Sequence, residues 1–292
     1  VRNAAAPLPN LAAARDRIEL AELDVTRPAD VEDALRAWRP DEIYNLASVS
    51  HVPRSWEDPF AGAALGVQGV TALLEGIRRV DPAIRLLQAS SSEIFGQPRE
   101  SPQTEATPIA PVSPYGAVKA YGHFLVGAYR RRYGLHACSA ILFNHESPRR
   151  PESFVTRKVA RAAARISAGL ERELRIGSLE PRRDWGYAGD TVRAMWLALA
   201  ADEPDDYVIA TGEPHSVREL VELSFAYVGL DWREHVVVDA ELVRGASEIW
   251  LQVGDASRAR ERLGWVPTVA FADLVRLLVD AEVERLASLG PN

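Results

Sequence analysis

The sequence predicts an α/β fold: a doubly wound parallel sheet with a smaller C-terminal α/β portion. Two observations carry that expectation. Strand-like apolar runs and helix-like amphipathic segments alternate from residue 18 to residue 143, the mark of a parallel sheet with right-handed crossovers. From residue 144 the character changes. A polar, proline-broken string, Asn144-His145-Glu146-Ser147-Pro148-Arg149-Arg150, reads as a loop and leads into shorter strands and helices.

Taken in order, residues 1–15 are rich in Ala, Pro and Asn and read as a loop. Residues 18–23 alternate apolar and charged side chains, which predicts a strand. Asp24 then falls at its C-terminal end, where α/β sheets bind ligands. A short helix is expected over 30–38 and a second strand over 42–46. Ala47-Ser48-Val49-Ser50 follows, a small-residue turn that lets a flat ligand approach the backbone. Taken alone it reads first as a plain strand exit. A helical period over 61–79, a strand ending at Gln88, a proline-rich connection over 100–114, a helix to about Tyr133 and a strand over 135–143 complete the alternation. Beyond it, a helix is expected over 154–168 and a short strand over 173–176. Asp190 reads as the N-cap of a helix over 191–201. A strand over 207–211 precedes a helix over 217–228, capped by Ser216 with Glu219 in the capping-box position. Residues 236–238 read as a strand, 244–248 as a polar loop and 271–289 as a closing amphipathic helix.

At 292 residues the chain holds one large α/β domain or two smaller ones. A net charge of −7 argues against nucleic-acid binding, which needs a basic footprint. Six histidines without ligand spacing argue against a metal site. The single cysteine, Cys138, excludes an internal disulfide and sits in an apolar run, so a buried, inert thiol is expected. No apolar run is read as reaching membrane-spanning length and no secretory signal is visible, so no membrane and a cytoplasmic setting are expected. The chain begins at Val1 and its one methionine is Met195, which reads as a processed start or a fragment.

The chemistry concentrates between residues 88 and 119. Gln88-Ala89-Ser90-Ser91-Ser92-Glu93-Ile94-Phe95-Gly96 follows an apolar run and reads as the end of a buried strand. Ser113-Pro114-Tyr115-Gly116-Ala117-Val118-Lys119 opens a helix, with Ser113 as cap and Pro114 just inside. Tyr115 and Lys119, four residues apart, share one helix face. An ammonium beside a phenol favours the phenolate. With the Ser91 hydroxyl and the Glu93 carboxylate they form a proton-transfer set. Arg149, Arg150 and Lys158, at the exit of the strand over 135–143, are candidates for phosphate contacts. Arg161 and Arg165, at helical spacing with Arg157, read as a solvated stripe.

Asn45-Leu46-Ala47 with Ser50, Ser91-Ser92-Glu93 and Ser113-Pro114-Tyr115-Gly116-Ala117 with Lys119 resemble the extended short-chain dehydrogenase/reductases. The string from Asn144 to Arg150, Gln88 to Gly96, Phe154 to Lys158 and Arg183 to Gly186 narrow the resemblance to the GDP-mannose 4,6-dehydratases. The resemblance implies a Rossmann-like NADP-binding domain over 1–143 plus about 185–212, and a nucleotide-sugar domain over 144–184 and 213–292. It implies a hydro-lyase that converts GDP-mannose to GDP-4-keto-6-deoxy-mannose with NADP as a temporary hydride store. Ser91, Glu93, Tyr115 and Lys119 would be catalytic. Asp24 and Val25 would flank the adenine, and Leu46, Ala47, Ser50, Tyr115, Lys119, His145 and Arg150 would contact the cofactor. Asn144, Lys158, Arg183, Arg244 and Glu248 would hold the GDP part of the substrate. Pairing through helices near 61–79 and 115–132 would give a homodimer or homotetramer.

The sequence also departs from that family. It has no Gly-rich turn of the form G-x-x-G-x-x-G or G-x-G-x-x-G, so the sheet reads as starting at its third strand, without the first β-α-β unit. Arg2 falls near the expected 2′-phosphate pair but is followed by Asn3, Ala61 replaces an expected tyrosine, and 244–248 reads Arg-Gly-Ala-Ser-Glu. A GDP-hexose epimerase or 4-keto reductase, or an inactive remnant that binds nucleotide sugar or pairs with an intact relative, are the alternatives. Glu93 separates the first two from a dehydratase, since neither needs that base.

Overall fold

The computed structural model describes residues 8–243 and 248–288. Arg2, Asn3 and Arg244, singled out above, lie outside them. The chain divides into two compact units. Unit 1 runs to Ile94 and includes Pro111–Ala140 and Ala198–Asp206; unit 2 takes Phe95–Ala110, Ile141–Leu197 and the residues from Tyr207 on.

Unit 1 begins with a 3-10 segment, Pro9–Arg17. The strand expected over 18–23 is not formed, and these residues are irregular. Alternation makes a strand only where a neighbour supplies the hydrogen-bond ladder. No described strand pairs with this stretch, and Ile18 stays 39% exposed. Helix α1 (Pro28–Trp38) starts on a proline and ends at Arg39, whose left-handed φ of 45° closes it. Strand β1 (Glu42–Asn45) follows, then two short helices, α2 (Val52–Glu57) and α3 (Pro59–Ala63), and a wide turn, Ala64–Gln68, that runs into α4 (Gly69–Val80). The helix expected over 61–79 is formed, running from Pro59 to Val80 with one wider, π-helical turn at Ala64–Gln68. Val70, Leu73, Leu74 and Ile77 recur at helical spacing and bury one face of α4 against Val31 and Leu35 of α1. Burying each such side chain contributes about 1.5–3 kcal/mol.

The span Pro59–Val80 is long and apolar enough to cross a membrane by length and composition. That corrects the expectation that no run reaches this length. Core helices pass the same test, and seven residues of α4 are buried.

Strand β2 (Arg85–Ala89), helix α5 (Pro114–Tyr133) and strand β3 (Ala137–Leu142) follow. β1, β2 and β3 are parallel neighbours, with Tyr44 opposite Leu87 and Leu87 opposite Cys138. Cys138 is fully buried, and burial pushes its thiol up to about 11, as expected of an inert cysteine.

Unit 2 contains β4 (Asn144–Glu146), α6 (Val155–Ser167), β5 (Leu174–Ile176), β6 (Arg182–Tyr187), α7 (Ala188–Ala200), β7 (Asp206–Ile209), β8 (Pro214–Ser216), α8 (Val217–Tyr227), β9 (Val236–Val238), β10 (Leu251–Gln252), α9 (Ser257–Leu263) and α10 (Phe271–Ser288). The last residues of α7 and the first of β7 belong to unit 1. β7 is the fourth member of the sheet order β1-β2-β3-β7. β10, β6 and β4 are parallel neighbours, and β8 pairs antiparallel with β6. β4 corrects the reading of 144–150 as pure loop: Asn144, His145 and Glu146 pair with Trp185, Gly186 and Tyr187 before the chain turns. The core stacks Trp185 on Phe271 (5.7 Å) and Phe271 on His215 (3.9 Å), wrapped by α6, α8 and α10. Ser216 caps α8 as read, accepting from the Glu219 N–H at 3.0 Å. Asp190 is not an N-cap. It lies inside the first turn of α7, and its carboxylate accepts from the Thr268 N–H and hydroxyl at 2.8 and 2.7 Å. A carboxylate in a first turn is free to serve a distant loop when other groups satisfy the helix end.

Candidate active site

Unit 1 carries the proton-transfer set. β2 is buried from Leu86 onward, as a central parallel strand must be, and ends where Ser91 and the 3-10 turn Ser92–Phe95 begin. Ser91 is buried and its hydroxyl accepts from the Glu93 N–H at 3.3 Å. Glu93 itself is half-buried. The Ser113 hydroxyl caps α5 by accepting from the Gly116 N–H at 3.0 Å. Gly116 is required by close approach, since a Cβ there would lie 2.6 Å from the Glu93 carbonyl oxygen. The glycine thus seats the first turn of α5, with Tyr115 on it, against the backbone of Glu93. The Tyr115 N–H donates to Ser55 Oγ at 3.3 Å, and Ser55 Oγ donates to the Val52 carbonyl at 2.7 Å.

Lys119 is 6% exposed, with Nζ 5.7 Å from the centre of the Tyr115 ring. Its ammonium donates to the Ala89 carbonyl at 2.7 Å. Burial pulls its pKa down to about 8. The same carbonyl accepts from Gln88 Nε2 at 3.1 Å, Gln88 Oε1 accepts from Asn45 Nδ2 at 2.7 Å, and Asn45 Oδ1 accepts from the Ala47 N–H at 3.2 Å. A buried amide relay thus ties the exit of β1 to Lys119. The sequence reading missed it, although two amides inside apolar strands are a visible signal.

Among the expected cofactor contacts in unit 1, Leu46 is 61% exposed at the exit of β1, with Ala47 and Ser50 beside it. Asp24 Oδ1 accepts from the Thr26 N–H and hydroxyl at 3.0 and 2.7 Å, closing a turn that contains Val25. Asp24 also lines an open groove of about 840 Å³ with Glu22, Asp30, Asp33, Trp38 and Leu65. Its carboxylates suit an uncharged base better than a phosphate.

In unit 2, His145 Nδ1 contacts the Phe143 carbonyl at 2.9 Å, so Nδ1 carries the proton. Arg150 stacks on the Phe154 ring, 3.6 Å from its centre. Asn144 is half-buried on β4. Arg183 and Glu248, expected to share the GDP site, pair with each other at 2.9 Å. Lys158 Nζ donates to the Arg175 carbonyl at 2.7 Å. Among the described residues no cluster of potential metal ligands occurs.

A family model described as GDP-mannose 4,6 dehydratase matches residues 3–278. GDP-mannose 4,6 dehydratase 1 of Arabidopsis thaliana is 49% identical over 265 residues, covering 87% of this chain and 73% of that one. The Homo sapiens GDP-mannose 4,6 dehydratase is 42% identical over 288 residues, covering 92% and 77%. The structure of RMD from Pseudomonas aeruginosa complexed with NADPH superposes with a TM-score of 0.84 at 25% identity, covering 94% of this chain and 95% of that one. The chain belongs to the GDP-mannose 4,6-dehydratase family.

Proposed function

We propose that this chain is a hydro-lyase that converts GDP-mannose to GDP-4-keto-6-deoxy-mannose. The observation that supports the reading most directly is the buried Lys119 ammonium beside the Tyr115 ring, on a helix turn seated against Glu93.

Tyr115, beside the Lys119 ammonium, takes the proton of the C4 hydroxyl, and Ser91 donates a hydrogen bond to the C4 oxygen. The ketone formed at C4 acidifies the proton at C5. Glu93 removes that proton and returns it to the departing C6 hydroxyl, which leaves as water. When bound, NADP supplies a hydride store that is filled from C4 and emptied onto C6, while C5 takes up a proton, so no net oxidation occurs. The residues present fit such a cofactor by the chemistry of their donors. The groove at Asp24 suits an adenine, the exposed Leu46 with Ala47 and Ser50 a flat ring, Lys119 ribose hydroxyls, and His145 with the Arg150 guanidinium phosphates. Asn144, Lys158, Arg183, Arg244 and Glu248 are assigned to the GDP moiety. Residues 1–143 with about 185–212 are assigned to the cofactor-binding domain, and 144–184 with 213–292 to the nucleotide-sugar domain.

Incubation of the purified chain with GDP-mannose and NADP tests the reading, with the 4-keto product followed by mass spectrometry. A fall of at least a hundredfold in turnover on Glu93→Gln supports a dehydratase. Unchanged turnover of a 4-keto substrate in that variant would identify a reductase. NADP(H) released from the denatured protein would argue against an inactive remnant.

Pairing through α4 and α5 as a homodimer, or further as a tetramer, is supported by Tyr121, Phe124 (58% exposed) and Phe60 on the outside of unit 1. Light scattering of Phe124→Glu, expected to be monomeric, checks it. A cytoplasmic setting goes with the reduced, buried Cys138, and cell fractionation reads it directly.

A further inference from the structure

Glu146 is a buried ionisable group that the reaction leaves unused. It is 1% exposed at the end of β4. One oxygen, Oε2, accepts from the Thr156 hydroxyl at 2.6 Å in the first turn of α6. The same oxygen lies 3.2 Å from Arg150 Nε, an ion-pair contact whose N–H is not aligned as a hydrogen bond. A buried carboxylate without a counter-charge costs several kcal/mol. Among the described residues, the cation supplied to it is Arg150.

Three further contacts fix that arginine. Its guanidinium lies over the Phe154 ring. Its N–H donates to the Ser147 carbonyl at 2.9 Å, closing the turn after β4. Its carbonyl accepts from Arg157 Nη1 at 2.6 Å, and Arg157 is anchored by Glu282 at 2.8 Å. The stacked face and the Nε edge are thus taken, and no protein group among the described residues engages the two terminal nitrogens. A planar fork held in that way meets a phosphate bidentately without first losing side-chain freedom.

We infer that Glu146 is a positioning residue: it holds the Arg150 guanidinium so that its outer edge is fixed for a phosphate group of the cofactor. The inference rests on the reading that Arg150 contacts NADP. It also accounts for the carboxylate between Asn144-His145 and Ser147-Pro148-Arg149-Arg150, which the sequence alone assigns to nothing.

The test is equilibrium binding of NADP⁺ to the full chain, followed by protein fluorescence, with no turnover required. Arg150→Ala is expected to raise the Kd about 10- to 100-fold, the loss of a charge-assisted bidentate contact. Glu146→Gln, which keeps an acceptor for Thr156 but not the charge, is expected to raise it about fivefold. In the Arg150→Ala background the same change is expected to do no more than about twofold. Thr156→Val, which removes the other partner of Oε2, is expected to lower the melting temperature and leave the Kd within about twofold.

An equal effect of Glu146→Gln in both backgrounds, or none in the wild type, would overturn the positioning role. An unchanged Kd in Arg150→Ala would instead overturn the cofactor contact on which the role rests. Should Glu146→Gln not fold, Arg150→Lys keeps the charge but neither the plane nor the fork. A Kd at least fivefold higher supports a fixed fork, and a wild-type Kd overturns it.

Discussion

Lys119→Met removes the charge that the site keeps under strain. Burial lowers the Lys119 pKa from 10.5 to about 8, and at about 1.4 kcal/mol per pH unit the protonated side chain carries a penalty of about 3 kcal/mol at neutral pH. Its hydrogen bond to the Ala89 carbonyl offsets about 1.5–3 kcal/mol of that. Replacing it by an apolar chain of similar length is therefore expected to change unfolding stability at pH 7 by no more than about 1–2 kcal/mol, while turnover falls about a hundredfold or more. The pH dependence gives a sharper signature. Between pH 8 and 10.5 the unfolded lysine is still protonated and the folded one is not, so the unfolded state binds more protons and wild-type stability rises with pH. The variant lacks that rise. Urea unfolding of both proteins at pH 7.5 and 10 should show the difference moving by about 2–3 kcal/mol in favour of the wild type. A difference that is independent of pH, or a loss of several kcal/mol already at pH 7, would refute a desolvated ammonium at this position.

Three further outcomes follow from contacts elsewhere. Gly116→Ala places a methyl 2.6 Å from the Glu93 carbonyl oxygen, so α5 must shift; a loss of about 1–3 kcal/mol with a larger loss of turnover is expected, read by thermal melts beside the product assay. Asp184 is fully buried, and its carboxylate accepts from the Thr211 N–H and hydroxyl and from the Gly212 and Gly254 N–H groups at 2.6–3.3 Å. Asp184→Ala strands these donors and is expected to cost about 3 kcal/mol or more in urea unfolding. Cys138, fully buried with its pKa raised to about 11, should resist thiol reagents at pH 8 in the native protein and react on denaturation.

Local signals decide how much of this architecture is legible in the sequence. The α5 start, with Ser113, Pro114 and Tyr115, follows from capping chemistry that acts within four residues. The end of β2 follows from a short apolar run bounded by small polar residues, and the Ser216 cap of α8 from the same rules as α5. What fails depends on partners that lie far off in sequence. Residues 18–23 have the pattern of a strand but no described neighbour to pair with, whereas Asn144–Glu146 looks like loop and becomes β4 because β6 lies alongside. Asp190 has the residue type and place of a cap, yet its acceptor capacity goes to Thr268, 78 residues on. In the candidate site, Ser91, Glu93, Tyr115 and Lys119 are readable because their types and spacing state a chemistry. The relay behind Lys119 is signalled only by two amides inside apolar strands, and its pairing appears once β1 and β2 lie side by side. The Glu146–Arg150 pair in unit 2 likewise becomes visible only when β4 and the turn after it place the two charges together in a dry interior.

The most direct test of the dehydratase reading follows one hydrogen. GDP-mannose carrying deuterium at C4 is incubated with the full chain and NADP, and the product is examined by mass spectrometry and NMR. A 4-keto-6-deoxy product with deuterium at C6, formed by the wild type and not by Glu93→Gln, is the predicted result. No product from the wild type, deuterium lost to solvent, or undiminished turnover in Glu93→Gln would contradict it.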